Sequence, residues 1–322
     1  MAKIDEVDIY ILRELIKDGR TSFTEIAKHC NLTKGAIAKR YEEMKKAGII
    51  VGSTIQIDPQ KFGYSAIAYI NTNTEPKYLD SLFKYLNKNP ELRNYRCYNS
   101  TYNLNTIVSL RQLKELEHIK YLISKKCPVN EIKTYLWIEV RNIPENIFPN
   151  SLGNKTKSNN TSKSEITESH LAQLDKLDMQ IVEKLINNSR LSFRKIAQEL
   201  GTTTRTIIKR YKNLRANYLK PSIQINTIEL GYKATLHIYL SLNAQDKTNT
   251  IVDCLSKILG IAYIVKISGE YDLQVAALVK DYDDTFRIYE EIVKISDVKK
   301  IDMRMIQLRP TWPGPRQHIS TF

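Results

Sequence analysis

Basic side chains recur at helical spacing in the second half of the chain. Arg205, Lys209 and Lys212 follow one another at intervals of four and three residues, which a helix places on one face. The apolar residues on the opposite face are Ile207, Tyr211 and Leu214. Guanidinium and ammonium groups bind phosphate oxygens, and guanidiniums also pair with guanine edges in the major groove. The pattern suits a DNA-reading helix, although a solvated charged face has the same spacing.

The residues before this helix predict how it is held. Residues 192–200 read as a short helix, and Gly201 allows the tight turn that follows. Thr203 is a candidate N-cap, because its hydroxyl can accept from the open N–H groups of the next turn. Two short helices joined by such a turn form a helix-turn-helix, whose second helix docks in the major groove.

Much of this stretch occurs twice, and the repeat is the strongest signal in the sequence. Residues 22–27 match residues 192–197, and Lys39-Arg40-Tyr41 matches Lys209-Arg210-Tyr211. Further matches join residues 4–8 to 174–178, 55–57 to 223–225, and 62–64 to 230–232. The chain therefore consists of two copies of one unit.

The two predicted recognition helices differ in charge. Where the second helix carries Arg205, Lys209 and Lys212, the first carries Gly35, Lys39 and Glu42. Glutamate repels phosphate, although it can accept a hydrogen bond from cytosine N4. We therefore expect the second helix to bind DNA more strongly. The residues expected to contact DNA are Thr33, Lys34, Lys39 and Arg40 in the first copy, and Thr203, Thr204, Arg205, Lys209, Arg210 and Lys212 in the second.

Composition agrees with an anionic partner. Among 322 residues, 49 Lys and Arg stand against 35 Asp and Glu, a net charge of +14. This excess favours nucleic acid or another anionic surface. The first residues are charged and lack an apolar signal region, and no apolar run reaches transmembrane length. We expect a cytoplasmic protein with double-stranded DNA, and no membrane, as partner.

No metal, cofactor or nucleophile motif is recognisable in the sequence. The four cysteines form no C-x-x-C pair and the five histidines form no H-E-x-x-H motif. Walker A, G-x-G-x-x-G and nucleophile-elbow patterns are also absent. We therefore expect no enzymatic activity and no cofactor.

Hydrophobic periodicity divides each copy into two domains. Three helices and a strand predict a winged helix-turn-helix domain at residues 1–57 and again at 174–226. The order βαββαβ predicts a ferredoxin-like sandwich at residues 58–149 and 227–322. Residues 150–173 are rich in Asn, Ser, Thr and Lys and read as a flexible linker. The predicted fold class is α+β, as a tandem repeat of these two domains.

Two details of the second sandwich are predicted from local signals. Its first helix is expected at residues 247–259, ended by Gly260. Pro310, Pro313 and Pro315 predict a tail without regular structure.

Several of these motifs together resemble the Lrp/AsnC family of feast/famine transcription regulators. They are Asp175-x-x-Asp178, the helix-turn-helix, the strand ending near Ile225, Leu230-Gly231-Tyr232, and Gly269-x-Tyr271-Asp272. The resemblance covers nearly the whole chain, twice. It implies an N-terminal DNA-binding domain and a C-terminal βαββαβ domain, called the RAM domain. That domain dimerises in the family and often carries a small effector, commonly an amino acid.

A tandem chain departs from the single-unit pattern of the family. Two sandwiches and two DNA-reading heads are present in one polypeptide, so we expect the halves to pair within the chain as a pseudo-dimer. Pairing of like halves between chains, and assembly into a higher homo-oligomer, remain open.

The effector loop of the family matches only in the second half. Gly269-Glu270-Tyr271-Asp272 stands opposite Ser100-Thr101-Tyr102-Asn103. Backbone N–H groups near Gly269 could receive a carboxylate, and Asp272 could pair with an ammonium group. The resemblance therefore implies an effector site at Gly269, Tyr271 and Asp272. A plain hairpin turn explains the same four residues.

Two other functions fit parts of the sequence. An architectural, nucleoid-type protein would bind DNA with little sequence preference and would share the basic helices. Sirohaem decarboxylases also resemble this family, and they use histidine and basic residues in the sandwich. The histidines available there are His118 and His237, and neither lies in a run typical of those enzymes.

Overall fold

A computed structural model of the chain describes residues 4–98, 100–149 and 174–314. The predicted linker, residues 150–173, lies outside these ranges. In the first half, the helix-turn-helix elements are α1 (Glu6–Lys17), α2 (Phe23–Cys30), α3 (Lys34–Lys46) and β1 (Ile50–Ile57). The sandwich elements that follow are β2 (Ala66–Thr74), α4 (Pro76–Leu86), β3 (Arg93–Tyr98), β4 (Leu104–Leu110), α5 (Lys114–Lys126) and β5 (Val129–Asn142).

The second half repeats this order. Its helix-turn-helix elements are α6 (Lys176–Asn187), α7 (Phe193–Glu199), α8 (Thr204–Asn217) and β6 (Leu219–Asn226). Its sandwich elements are β7 (Ala234–Leu242), α9 (Thr248–Leu255), β8 (Ile261–Ser268), β9 (Leu273–Val279), α10 (Tyr282–Val293) and β10 (Val298–Gln307). We call the three-helix unit α1–α3 the first head and the unit α6–α8 the second head.

Each head completes its core with a strand from the other half of the chain. β1 and β6 pair in antiparallel register, with Ser53 opposite Ile223. Ile55 and Ile57 of β1 are buried in the core of the second head. Ile223 and Ile225 of β6 are buried in the core of the first head. Burying an isoleucine side chain contributes about 1.5–3 kcal/mol, so this exchange ties the two heads together.

The two sandwich sheets close on each other as an eight-stranded barrel. One sheet has the strand order β3-β4-β2-β5 and the other has the order β10-β7-β9-β8, as βαββαβ units require. β5 pairs with β8, and β10 pairs with β3, so both junctions lie between the halves. Within the described residues, closure gives every barrel strand a neighbour on both sides, so the barrel has no outermost strand to pair with another chain. The four helices of the two sandwiches, α4, α5, α9 and α10, cover the outer faces of the barrel.

Aromatic side chains line the interior of the barrel. Tyr69, Tyr135 and Tyr239 are fully buried there, and burial raises the pKa of each phenol. The guanidinium of Arg304 lies 4.3 Å from the ring centroid of Tyr239. Its Nη1 donates to Asn71 Oδ1 at 3.3 Å, across the junction between the halves. Polar and aromatic contacts thus join the two sheets from the inside.

Two predicted details of the second sandwich are wrong. Helix α9 ends at Leu255, four residues before the predicted end. Beyond it, the N–H groups of Lys257 and Ile258 bond the carbonyls three residues back, and this tight turn buries the Ile258 side chain. The proline-rich tail also contains a two-residue strand, β11 (Thr311–Trp312), because it pairs with the end of β6 between the prolines.

Candidate nucleic-acid interface and effector hairpin

Helix α8 presents an exposed cationic face. Its N-cap is Thr203, whose hydroxyl accepts a hydrogen bond from the N–H of Thr206 at 3.1 Å. The side chains of Arg205, Lys209 and Lys212 are exposed. Among the residues that the structure describes, no carboxylate lies within ion-pair distance of these three. Their charge is therefore available to an anionic partner.

Helix α3 has the same cap but a compensated surface. Thr33 accepts a hydrogen bond from the N–H of Ala36 at 3.1 Å. Lys39 Nζ lies 3.9 Å from Glu43 Oε1, and Lys45 Nζ lies 3.3 Å from Glu42 Oε2. Such exposed pairs add little stability, but they lower the positive potential that the helix offers to phosphate. Lys34, in the first turn, is exposed.

Two of the arginines expected at the DNA surface are engaged inside their own heads. Arg210 pairs with Asp175 and Asp178, the two carboxylates of the capping box that starts α6. The backbone N–H of Asp178 and the guanidinium of Arg210 lower the pKa of Asp175. The matching side chains in the first head are Arg40, Asp5 and Asp8. These arginines hold the recognition helix against the first helix of the head.

Helix α7 adds two cations that the sequence analysis did not single out. Arg194 and Lys195 lie exposed in its first turn. The matching residues of the first head are Thr24 and Glu25. In helix-turn-helix complexes the first helix of the motif crosses the DNA backbone. Aligning the two repeats reveals this difference, because the first turn of this helix is negatively charged in the first head and strongly positive in the second.

The two heads also contact each other through a reciprocal pair of arginines. The guanidinium of Arg20 lies 4.2 Å from the ring centroid of Phe193, and its Nη2 donates to the carbonyl of Leu191 at 2.6 Å. The guanidinium of Arg190 lies 4.9 Å from the centroid of Phe23, and its Nη1 donates to the carbonyl of Gly19. Burial lowers the pKa of Arg20. The separation of the heads is therefore fixed by these partly buried contacts as well as by the shared sheet.

The predicted effector residues follow the end of β8, and each contacts a residue of another barrel strand. Gly269 has φ +147°, and a Cβ at this position would lie 2.6 Å from Tyr135 Cδ1. Tyr271 is buried, and its hydroxyl donates to Asp302 Oδ2 at 3.0 Å. Asp272 Oδ2 accepts a hydrogen bond from the backbone N–H of Leu242 at 2.7 Å.

The first half builds the same contacts with different residues. Asn103 Oδ1 accepts from the N–H of Thr74 at 3.3 Å, and its Nδ2 donates to the carbonyl of Thr74 at 2.6 Å. The Tyr102 hydroxyl donates to Glu131 Oε1 at 2.6 Å. Since Asn103 performs without charge the task of Asp272, the structure gives Asp272 a role in holding the barrel. Its binding to an ammonium group stays a prediction.

The two sandwich histidines lie in different environments. His118 is exposed on α5, on the outside of the barrel. His237 is buried inside it, with Nδ1 2.8 Å from the Tyr69 hydroxyl and Nε2 3.2 Å from the Tyr263 hydroxyl. Burial lowers the pKa of His237 to about 3, and the charge of Arg304 adds to this. The imidazole is therefore neutral near pH 7.

Neither a metal cluster nor a membrane span is found in the described ranges. Across residues 4–98, 100–149 and 174–314, no group of three or more His, Cys, Asp or Glu side chains is arranged to hold a metal. Within the same ranges, no helix combines the length and apolar character of a membrane span.

Comparison with known proteins identifies the two heads. A winged helix-turn-helix DNA-binding model matches residues 4–51, and an AsnC-type helix-turn-helix domain model matches residues 174–215. The chain is similar in fold to a solved siroheme decarboxylase, NirDL. The two structures superpose over 98% of this chain and 94% of the NirDL chain, with a TM-score of 0.65 and 16% sequence identity. At this identity the likeness shows the tandem fold alone.

Curated relatives match one unit of the chain. The HTH-type transcriptional regulator LrpA of Pyrococcus abyssi is 36% identical over 123 residues, which are 38% of this chain and 85% of the relative. The regulatory protein AsnC of Escherichia coli is 32% identical over 133 residues, 41% of this chain and 86% of the relative. LrpA of Pyrococcus horikoshii is 46% identical over 76 residues, 24% of this chain, and the match spans about half, 54%, of that relative. The chain therefore belongs to the Lrp/AsnC family of DNA-binding transcription regulators.

Proposed function

We propose that the chain binds double-stranded DNA as a single-chain pseudo-dimer and reads an asymmetric operator mainly through its second head. The outer face of α8 carries this proposal, because Arg205, Lys209 and Lys212 are exposed there without ion-pair partners among the described residues. On α3 the equivalent Lys39 is compensated by Glu43. Electrostatic attraction to phosphate supplies much of the affinity of DNA-binding proteins, so the heads should contribute unequally.

The proposed contacts divide into two groups. At the starts of the recognition helices, Thr33 and Lys34 in the first head and Thr203 and Thr204 in the second would meet phosphates or base edges near the groove floor. On the outer helix faces, Lys39, Arg205, Lys209 and Lys212 would meet the backbone and bases, and Arg194 and Lys195 would add phosphate contacts. Arg40 and Arg210 would act indirectly, by holding each recognition helix in place.

Intrachain pairing supports an operator with two unequal half-sites. β1 and β6 form one sheet between the heads, and Arg20 and Arg190 bridge them. Heads held at a fixed separation can reach successive major grooves about 34 Å apart. Because the recognition helices differ, we expect an imperfect palindrome. In this proposal whole chains can associate further into a homo-oligomer, and the DNA-binding role goes with a cytoplasmic location.

A possible effector site of this proposed regulator is the hairpin that follows β8. Gly269, Tyr271 and Asp272 remain the residues that the family resemblance implies for an amino acid. Asp272 accepts from Leu242 and Tyr271 donates to Asp302, which favours the hairpin interpretation, because these groups already serve the barrel.

Footprinting on the promoter region of the protein's own gene tests the proposal. We expect discrete protection of two neighbouring half-sites on one DNA face, with a steep loss of affinity as salt increases. Continuous protection without preferred sites would instead support the architectural function. Loss of all DNA binding, together with tight uptake of an iron tetrapyrrole, would support the decarboxylase function and contradict a regulator.

A further inference from the structure

A cavity of about 90 Å³ lies inside the barrel, at the end of β8 away from the Gly269 hairpin. Its walls include the start of β3, the end of β10 and residues 308–314, which we call the strap. The side chains that matter for its chemistry are Arg93, Tyr95, Trp137, His237, Tyr263 and Arg309. We propose that this cavity binds a small organic anion with a flat apolar body, and that the first head responds to its occupancy.

The charge of the lining carries the first step. Arg93 and Arg309 both line the cavity, and among the described lining residues there is no aspartate or glutamate. Burial lowers the pKa of Arg93, and the nearby charge of Arg309 lowers it further. An anion between two guanidiniums would relieve this repulsion and form charge-assisted hydrogen bonds. The neutral His237 adds no charge of its own, and it presents a polar surface beside Tyr263.

The size and shape of the cavity restrict the ligand. One water molecule needs about 10–15 Å³ of cavity volume, so 90 Å³ holds a molecule of about six to nine non-hydrogen atoms. Tyr95, Trp137 and Tyr263 supply ring surfaces, and the guanidinium of Arg309 lies 4.1 Å from the centroid of Tyr95. A small aromatic or branched carboxylate fits this space, whereas an iron tetrapyrrole is several times too large.

The strap connects the cavity to the DNA-binding heads. Thr311 and Trp312 pair with Asn226 and Ile225 of β6, the strand that completes the first head. Gln224 Nε2 also donates to the carbonyl of Pro313 at 3.1 Å.

The cavity also shares wall residues with the first head. Ala262 and Leu278 line the cavity and are buried in the core of the first head, against which Trp312 also packs. A ligand that shifts these residues therefore changes the packing of the head directly.

Intrinsic fluorescence reports on the cavity, because Trp137 and Trp312 both line it and are the two tryptophans of the chain. We expect sodium benzoate to change the emission of the full-length protein saturably, and benzamide, which has the same shape without the charge, to bind at least tenfold more weakly. The absence of any response to benzoate or pyruvate at millimolar concentration would overturn the site. Equal binding of benzoate and benzamide would overturn its anion preference. Displacement of benzoate by an iron tetrapyrrole would overturn the size assignment.

Matched variants locate the response. Arg93→Gln should weaken benzoate binding tenfold or more, and Arg93→Lys should retain part of it. Arg309→Gln, at the exposed mouth of the cavity, should give a smaller loss of benzoate affinity. Because Arg309 is exposed, this variant still tests the site if the β3 variant Arg93→Gln does not fold. Lys299→Gln removes the same charge from an exposed site on β10 outside the cavity and should leave binding unchanged. Equal losses in Arg309→Gln and Lys299→Gln would contradict the assignment.

The effect on the first head rests on the proposed DNA-binding function, so it is measured separately. Benzoate should change the gel-shift affinity of the wild type for its own promoter at least threefold and should leave that of Arg93→Gln unchanged. Benzoate binding by fluorescence without any change in DNA affinity would overturn the coupling alone. Failure to bind DNA under all conditions would overturn the proposed function and leave the fluorescence result standing.

Discussion

Arg20 and Arg190 occupy equivalent positions in the two heads, and each guanidinium lies over an aromatic ring of the other head. The contact is reciprocal, as in a symmetric dimer, yet both arginines belong to one chain. It lies beside the exchanged strands β1 and β6. The head pair is therefore a preformed unit with a fixed spacing, and this spacing is what a two-site operator would read.

Removing both arginines should loosen the head pair. Each cation–π contact contributes about 0.5–2 kcal/mol, so Arg20→Ala with Arg190→Ala should lower the free energy of unfolding by about 1–4 kcal/mol. Urea denaturation measures this loss, and Lys46→Ala, on the exposed end of α3, is the charge-matched control. An unchanged unfolding midpoint in the double variant would show that the shared sheet alone holds the heads.

Asp272 should behave as a structural residue. Asp272→Ala removes the acceptor for the Leu242 N–H and should destabilise the protein by about 1–3 kcal/mol. Asp272→Asn keeps a side-chain oxygen and copies the first-half residue Asn103, so it should restore most of the stability. Thermal unfolding of the two variants measures the difference. If both variants unfold like the wild type and only the response to amino acids is lost, the effector interpretation is correct instead.

Stability should depend on pH through His237. Its pKa is lowered to about 3 in the folded protein, against about 6.5 when unfolded. Between these values the unfolded chain binds one more proton than the folded protein, so the free energy of unfolding rises with pH. Above about pH 6.5 the stabilising contribution of His237 is fully present. The slope from this group is at most about 1.4 kcal/mol per pH unit.

His237→Gln tests this dependence. The variant keeps a polar side chain beside Tyr69 and Tyr263 and loses the titrating group. Its denaturation midpoints between pH 4 and 6.5 should fall less steeply with acid than those of the wild type. Parallel curves for the two proteins would mean that the buried imidazole does not control stability in this range.

The sequence predicted the elements better than their partners. Strand and helix order followed from periodicity, since apolar residues mark one face whichever core they enter. The same argument could not tell that Ile55 completes the second head, because a buried strand looks alike in either core. Spacing likewise places the Arg210 guanidinium on a helix face, but it does not show the carboxylates of Asp175 and Asp178 beside it. The charge of Asp272 suggests an ammonium partner, while its backbone partner, Leu242, comes near only when β7 pairs with β9.

The unequal contribution of the heads is the central claim, and paired charge reversals measure it most directly. Arg205→Glu and Lys39→Glu each reverse one exposed cation on a recognition helix. Gel-shift affinity for the footprinted operator, measured across a salt series, should fall tenfold or more for Arg205→Glu, with the salt slope reduced by about one unit. Lys39→Glu should change affinity about threefold or less, because Glu43 already offsets its charge. Equal losses from the two variants, or a larger loss from Lys39→Glu, would contradict the account.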